Sequence, residues 1–168
     1  MGLRRILTHR EPALHMTCKP VVKFDDRLHK LLDDMRETLL DSGGVGLAAP
    51  QVGILRRVVL VDVGVEEPDI IELINPEMVE TDGEQYGPEG CLSVPGKYGM
   101  VKRPMTVTVK FQDRHGEWHE RTAEGFTARA FCHEIDHLDG HLYTELVTEY
   151  LDPSDFADND DDYEGDEE

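Results

Sequence analysis

No apolar run in this 168-residue chain approaches the length of about 20 residues that a membrane-crossing helix needs. Nor does an apolar stretch follow Arg4 and Arg5, so Met1 to Leu7 is not expected to be a secretory signal, and it is neither long nor Ser-rich enough for an organelle transit peptide. Basic residues are scarce: 17 Lys and Arg stand against 36 Asp and Glu, for a net charge of -19. Such a surface repels phosphate backbones, so direct nucleic-acid binding is not expected, and any contact with a ribosome would need a local patch. Cysteine is sparse and odd in number (Cys18, Cys91, Cys132), which fits free thiols in a reducing cytoplasm better than disulfides.

The acidity is unevenly spread. Asp152 to Glu168 holds ten acids and no base, leaving 26 acids and 17 bases in the rest of the chain. The tail also has too little apolar content to fold and is expected to be disordered. Residues 1–151 are therefore expected to form one domain, and residues 152–168 an appended acidic tail. With 39% hydrophobic residues the chain can build a core of ordinary size for its length.

Within the domain, Leu28, Leu31, Leu32, Met35, Leu39 and Leu40 recur at helical spacing, predicting a helix over Asp25–Asp41 with Asp25 as N-cap and Gly43-Gly44 as its stop. A loop is expected from Gly43 to Gly53. Strands are predicted at Arg57–Val63, at Glu72–Glu80 with a break near Asn75-Pro76, and at Met105–Phe111, the last turning at Asp113–Gly116 to pair with Glu117–Ala123. Thr81 to Pro95, rich in Gly and Pro, is expected to be loop with short extended pieces at most. A second helix should run from Glu124 to Leu138 and stop at Gly140. These elements define an α+β fold: mostly antiparallel sheets packed around a central helix, with an N-terminal helix.

Three segments carry chemistry. His133-Glu134-Ile135-Asp136-His137 places two imidazoles on one helix face, where they can share a metal, with Glu134 beside them as a general base. Two histidines by chance on a surface helix would look the same. The third ligand decides between metal chemistries. In the metzincin pattern Gly140 matches, but the next histidine should fall at position 143, which is Tyr143; His141 comes two residues early. The gluzincin pattern needs an acid on a later helix, and little chain follows His137 apart from the acidic tail. Cys91, in Glu89-Gly90-Cys91-Leu92-Ser93 between glycine-rich turns, is the better candidate, since a thiolate and two imidazoles leave a fourth position open. Taken alone, a cysteine packed as a small hydrophobe is the stronger reading, and it is the one expected for Cys18 and Cys132. The third segment, Gly44-Val45-Gly46-Leu47-Ala48-Ala49-Pro50-Gln51, exposes backbone polar groups to an extended peptide and offers the Gln51 amide to an oxyanion. It lacks the lysine of a phosphate loop and the third glycine of a dinucleotide fingerprint.

Together GVGLAAPQ (44–51), EGCLS (89–93) and HEIDH (133–137) resemble the three signature motifs of peptide deformylases, in order and at similar separations. The resemblance covers roughly residues 3–150. It implies removal of the formyl group from the N-terminal formyl-methionine of nascent polypeptides in the cytoplasm. It also implies a metal held by Cys91, His133 and His137, a proton shuttle at Glu134, and oxyanion donors at Gln51 and the Leu92 N–H. By the same resemblance Val45, Gly46, Phe126 and Ala130 line the substrate pocket, Glu89 pairs with Arg103 to brace the cysteine loop, and the metal is Fe²⁺, with Ni²⁺, Co²⁺ or Zn²⁺ tolerated. The chain departs from the family pattern at Arg129, where an apolar pocket residue is common, and at Tyr98 in PGKYGMVKRP (95–104), where a basic residue is common. Thr8 to Pro20 matches weakly. The acidic tail replaces the basic C-terminal helix with which some bacterial members dock on ribosomes. The rival expectations are an HExxH endopeptidase and a metal-binding module without turnover.

Overall fold

The structure, a computed structural model, describes residues 2–152. The first helix, α1, spans Asp26–Ser42; the Asp25 side chain accepts from the Leu28 N–H at 3.2 Å, and Gly43 closes it at φ 72°. An N-cap of this kind is worth about 1 kcal/mol. The chain ahead of it lies across α1: the Gly2 N–H donates to Glu37 at 2.8 Å, and Arg4 pairs with the buried Asp34, also at 2.8 Å.

Eight strands follow: β1 (Gly46–Ala48), β2 (Val58–Asp62), β3 (Ile70–Asp82), β4 (Gln85–Cys91), β5 (Val94–Arg103), β6 (Thr106–Gln112), β7 (Trp118–Glu124) and β8 (Glu149–Tyr150), with α2 (Gly125–His137) between β7 and β8. They form a five-stranded sheet in the order β1-β2-β3-β6-β7 and a three-stranded sheet in the order β4-β5-β8, with every strand pairing antiparallel. The expected α+β architecture holds.

Strand periodicity explains the layers. Val59, Val61 and Leu73 point to one face of the large sheet and pack with Phe131, Ile135 and Leu138 at the end of the chain's second helix. Val58, Leu60 and Ile74, one residue out of step, face the other way and pack with Leu31, Leu32, Met35 and Leu39 of α1. At β2 and the start of β3 the sheet is thus buried on both sides, which is why β2 is apolar without alternation. Cys18 and Cys132 belong to the α2-side core, as expected, and burial pushes each thiol up to about 11.

Two expectations fail. The loop foreseen at Gly43–Gly53 contains β1 and a 3₁₀ turn over Ala49–Val52. The loop foreseen at Thr81–Pro95 consists mostly of the end of β3, all of β4 and the start of β5. Pro88 sits in β4 opposite Met100, and β4 is an edge strand, where a missing N–H costs no ladder hydrogen bond. Gly87 and Gly90 are not turn residues: a Cβ on Gly90 would lie 2.5 Å from the Tyr98 ring, and one on Gly87 would lie 3.1 Å from the Arg129 guanidinium. From residue 153 onward the expected disordered tail lies outside the described residues.

The break foreseen at Asn75-Pro76 appears as a register shift within one long β3. Asn75 adopts φ 52°; its Oδ1 accepts from the Val21 N–H at 2.8 Å, and its Nδ2 donates to the Val21 carbonyl at 2.9 Å and to Gln112 at 2.7 Å. Asn tolerates that backbone better than most side chains. Asn75→Ala should lower stability by about 1–3 kcal/mol, because the Val21 groups lose their partner. The readout is the urea midpoint, and an unchanged midpoint would show that water replaces the amide at no cost.

Candidate metal centre

Two elements of different rise meet at the site. Along α2, Arg129, His133 and His137 recur every four residues on one face, about 6 Å apart. Along β4, Gly87, Glu89 and Cys91 recur every two residues on one face, about 6.6 Å apart. The steps nearly match, so the two rows form three rungs: Arg129 at the Gly87 carbonyl (3.3 Å), His133 Nδ1 at Glu89 Oε1 (2.9 Å), and His137 Nε2 at Cys91 Sγ (3.5 Å).

Ligand atoms of Cys91, His133 and His137 all lie within 4.8 Å of one another, the only such group of three among the described residues. His137 is fully buried, and burial holds its pKa well below the ordinary range, leaving a neutral imidazole able to ligate. Burial opposes charge on His133 as well, but Glu134, Cys91 and Glu89 outweigh it and push this pKa up to about 10. The surroundings therefore favour positive charge at this point. Two buried side-chain atoms among the described residues lack a protein partner, Glu134 Oε1 and His137 Nδ1, and both belong to this cluster. A soft thiolate, two imidazoles and an unsatisfied carboxylate fit a divalent transition metal with an open position.

Glu89 is the buried support. Its Oε1 accepts from His133 Nδ1 and from Arg103 Nη2 at 2.9 Å; its Oε2 accepts from Arg103 Nε at 2.7 Å and Arg129 Nη1 at 2.8 Å. Burial alone would raise its pKa, but Arg103 and His133 bring it down to about 2. The expected Glu89–Arg103 pair is present, and Arg103 also reaches Asp136 at 2.8 Å. Because Glu89 occupies Nδ1, His133 turns Nε2 toward the cluster.

Glu134 is buried between α2 and β1. Burial pushes its pKa up to about 7 against the opposing pull of His133 and Arg103, which suits a group that must take and return a proton near neutrality. Gln51, on the 3₁₀ turn after β1, accepts from the Ala48 N–H at 2.9 Å and turns Nε2 to Ser93 Oγ (3.0 Å) and Cys91 Sγ (3.6 Å). Leu92 lies at the turn between β4 and β5. The cavity in front of these groups measures about 690 Å³, and its walls include Val45, Gly46, Gln51, Cys91, Leu92, Phe126, Ala130, His133 and Glu134. His137 lies behind them.

Ser93, Asp136 and Tyr143 received no role from the sequence. Ser93 holds the Gln51 amide, and its own N–H points to Cys91 Sγ at 3.4 Å. The Tyr143 ring stacks on His133 with centroids 5.8 Å apart, and its hydroxyl donates to the Lys97 carbonyl. Ser93 and Asp136 fall inside the quoted motifs, which was the available signal. Arg129 was expected as an altered pocket wall; it does line the cavity, but it is buried and its guanidinium turns into the Glu89 network.

A transition-metal donor set beside a buried carboxylate that titrates near neutrality defines a metal-dependent hydrolase of amide bonds. Residues 3–151 match the family described as polypeptide deformylase. A peptide deformylase of Lachnoclostridium phytofermentans is 54% identical over 147 residues, covering 88% of this chain and 90% of that protein. One of Caldicellulosiruptor bescii is 50% identical over 90% of this chain and 89% of its own length. The crystal structure of a peptide deformylase from Thermotoga maritima superposes with a TM-score of 0.84 at 42% identity, covering 88% of this chain and 99% of that one. The chain belongs to the polypeptide deformylase family and is a metal-dependent N-formyl-methionine deformylase.

Two outcomes follow from this geometry. A Cβ on Gly46 would lie 2.5 Å from Glu134 Oε2, so Gly46→Ala must displace that carboxylate. The variant should keep its metal, measured by elemental analysis, and lose about 10²-fold in turnover, the lower end of what a misplaced proton-transfer group costs. Glu89, depressed to about 2 against 4.5 in an unfolded chain, contributes stability that is complete above 4.5 and disappears as pH falls toward 2. That contribution is about 3 kcal/mol. Urea unfolding of metal-free protein should show a steeper loss over this window for wild type than for Glu89→Gln; parallel slopes would contradict the assignment.

Proposed function

We propose that Cys91, His133 and His137 hold one divalent metal, Fe²⁺ in the cell, and that the residues around them release formate from the N-terminal formyl-methionine of nascent chains. The observation that carries this reading is the closeness of the thiol and two imidazoles beside a buried, unpaired carboxylate oxygen. Ni²⁺, Co²⁺ and Zn²⁺ share the ligand preferences and should also bind. The metal, when bound, supplies Lewis acidity toward water and the formyl oxygen.

The remaining work falls to the chain. Gly46 at the edge of β1 offers its backbone to the substrate peptide, which lies extended along that strand. Val45, Phe126 and Ala130 receive the methionine side chain; Phe126 and Val45 are exposed at the rim, and Ala130 is buried deeper. Glu134 takes a proton from the attacking water at a carboxylate oxygen and later gives it to the leaving amine, so that the C–N bond breaks to formate and a free N-terminus. Gln51 Nε2 and the Leu92 N–H donate to the formyl oxygen as negative charge develops on it. Ser93 and Ala48 hold Gln51 so that its amide nitrogen, not its oxygen, faces the cluster.

The cytoplasm is the compartment this substrate implies, and no helix among the described residues is long and apolar enough to cross a membrane. Asp152–Glu168 carries ten acids and no base, so this segment does not supply the positive charge of a basic docking helix, and any ribosome contact would need another surface.

Protein purified without oxygen and loaded with Fe²⁺ or Ni²⁺ should release formate from formyl-Met-Ala-Ser and little acetate from the acetylated peptide. Fully metallated protein that released no formate would overturn the proposal. Glu134→Gln should retain one metal per chain and lose about 10²–10⁴-fold in kcat, the usual contribution of a positioned acid-base group. Near-normal turnover would remove Glu134 from the proton path.

A further inference from the structure

Arg129 is not required by the chemistry just described, yet it is buried at 5% exposure on the ligand-bearing face of α2, one turn before His133. Its Nη1 donates to three acceptors: Glu89 Oε2 at 2.8 Å, the Val101 carbonyl at 3.1 Å and the Gly87 carbonyl at 3.3 Å. Its Nη2 reaches Gln85 at 3.4 Å. A single guanidinium thereby holds β4 and β5 to α2 and also fills one of the acceptor positions of Glu89.

That position matters because a carboxylate has about four lone-pair sites. Arg103 occupies one on each oxygen, His133 the second on Oε1, and Arg129 the second on Oε2. With all four filled, Glu89 has no freedom to rotate, and His133 Nδ1 has one place to donate. The charges balance as well: the guanidinium groups of Arg103 and Arg129 face the carboxylates of Glu89 and Asp136. Loss of Arg129 would leave surplus negative charge against His133 and release the first of the three rungs. Gly87 is the complementary feature, since any side chain there would press on the guanidinium.

We propose that Arg129 is a positioning residue for the metal centre: by bridging Glu89 to the carbonyls of Gly87 and Val101, it sets where His133 Nε2 stands relative to Cys91 and His137. The proposal rests on the reading of Cys91, His133 and His137 as metal ligands. It assigns Arg129 no contact with the reacting atoms.

The test uses the full chain, prepared metal-free and titrated with Co²⁺ alone, whose visible bands report ligand geometry without turnover. Arg129→Met should bind Co²⁺ about 10–100-fold more weakly, the usual cost of removing an outer support of a ligating histidine. It should also show shifted visible bands, and after loading a kcat lowered by about tenfold with KM within about threefold. Arg129→Lys, which keeps a charge and one donor, should recover part of the affinity and band position. Gly87→Ala, which keeps Arg129 but crowds it, should shift the bands in the same direction by less, and it serves where Arg129→Met does not fold. If Arg129→Met lowered the melting temperature but kept wild-type Co²⁺ affinity and bands, Arg129 would be a packing residue and the proposal would fail alone. If wild type bound no Co²⁺ through sulfur, the ligand assignment would fail and this inference with it. Wild type that bound Co²⁺ normally but released no formate would sink only the reaction proposed above, leaving the Arg129 comparison decisive on its own terms.

Discussion

The Glu89 carboxylate is the interaction on which the site depends. It is buried, accepts from two arginines and a histidine, and comes from the edge strand that also ends in Cys91. An isolated carboxylate in such a place would cost far more than any single contact returns, and only complete saturation with donors makes it tolerable. Saturation in turn fixes what it touches: the tautomer of His133 and the placement of β4 against α2. The candidate metal site is thus braced from behind by charge.

Two buried glutamates a short distance apart titrate in opposite directions, Glu89 near 2 and Glu134 near 7. Burial raises the pKa of both. The difference is their partners: Glu89 has two guanidinium groups within bonding distance, whereas Glu134 has one oxygen without a protein partner and only His133 at 4.0 Å. One carboxylate is thereby committed to permanent charge and support, and the other is left able to exchange a proton. Environment, not residue type, separates the two roles.

Much of this was legible in the sequence where a local rule governs. The leucine spacing of α1, its Asp25 cap, the alternation of β6 and the i, i+4 histidines of α2 each follow from one element's own periodicity. Cys91 could be singled out as a ligand, but its pairing with residues more than forty positions away is a property of the fold, and only the likeness to a family joined the segments beforehand. The β4–β5 hairpin was hidden because Gly and Pro ordinarily signal turns. Here Gly87 and Gly90 are small because an arginine and a tyrosine lie over them, and Pro88 is tolerated because its strand is an edge; neither reason is visible without the partner. Arg129 was hidden for a related cause. A charged residue at an apolar position suggests a distorted pocket until its four acceptors, contributed by β4 and β5, are in place.

The pairing of helix and strand across the site behaves like a vernier. Four helical residues advance about 6 Å and two strand residues about 6.6 Å, so each successive pair slips by roughly 0.6 Å. By the third pair the accumulated offset is about 1.2 Å, more than the few tenths of an ångström that a hydrogen bond or a metal–ligand contact tolerates. Straight elements of this kind can therefore align only a short row of functional side chains, and the shift in strand register between Glu89 and Cys91 falls where the last pair must be brought back into line. The size of the site is set by the mismatch between two elementary repeats, and a larger constellation on the same elements would require one of them to bend.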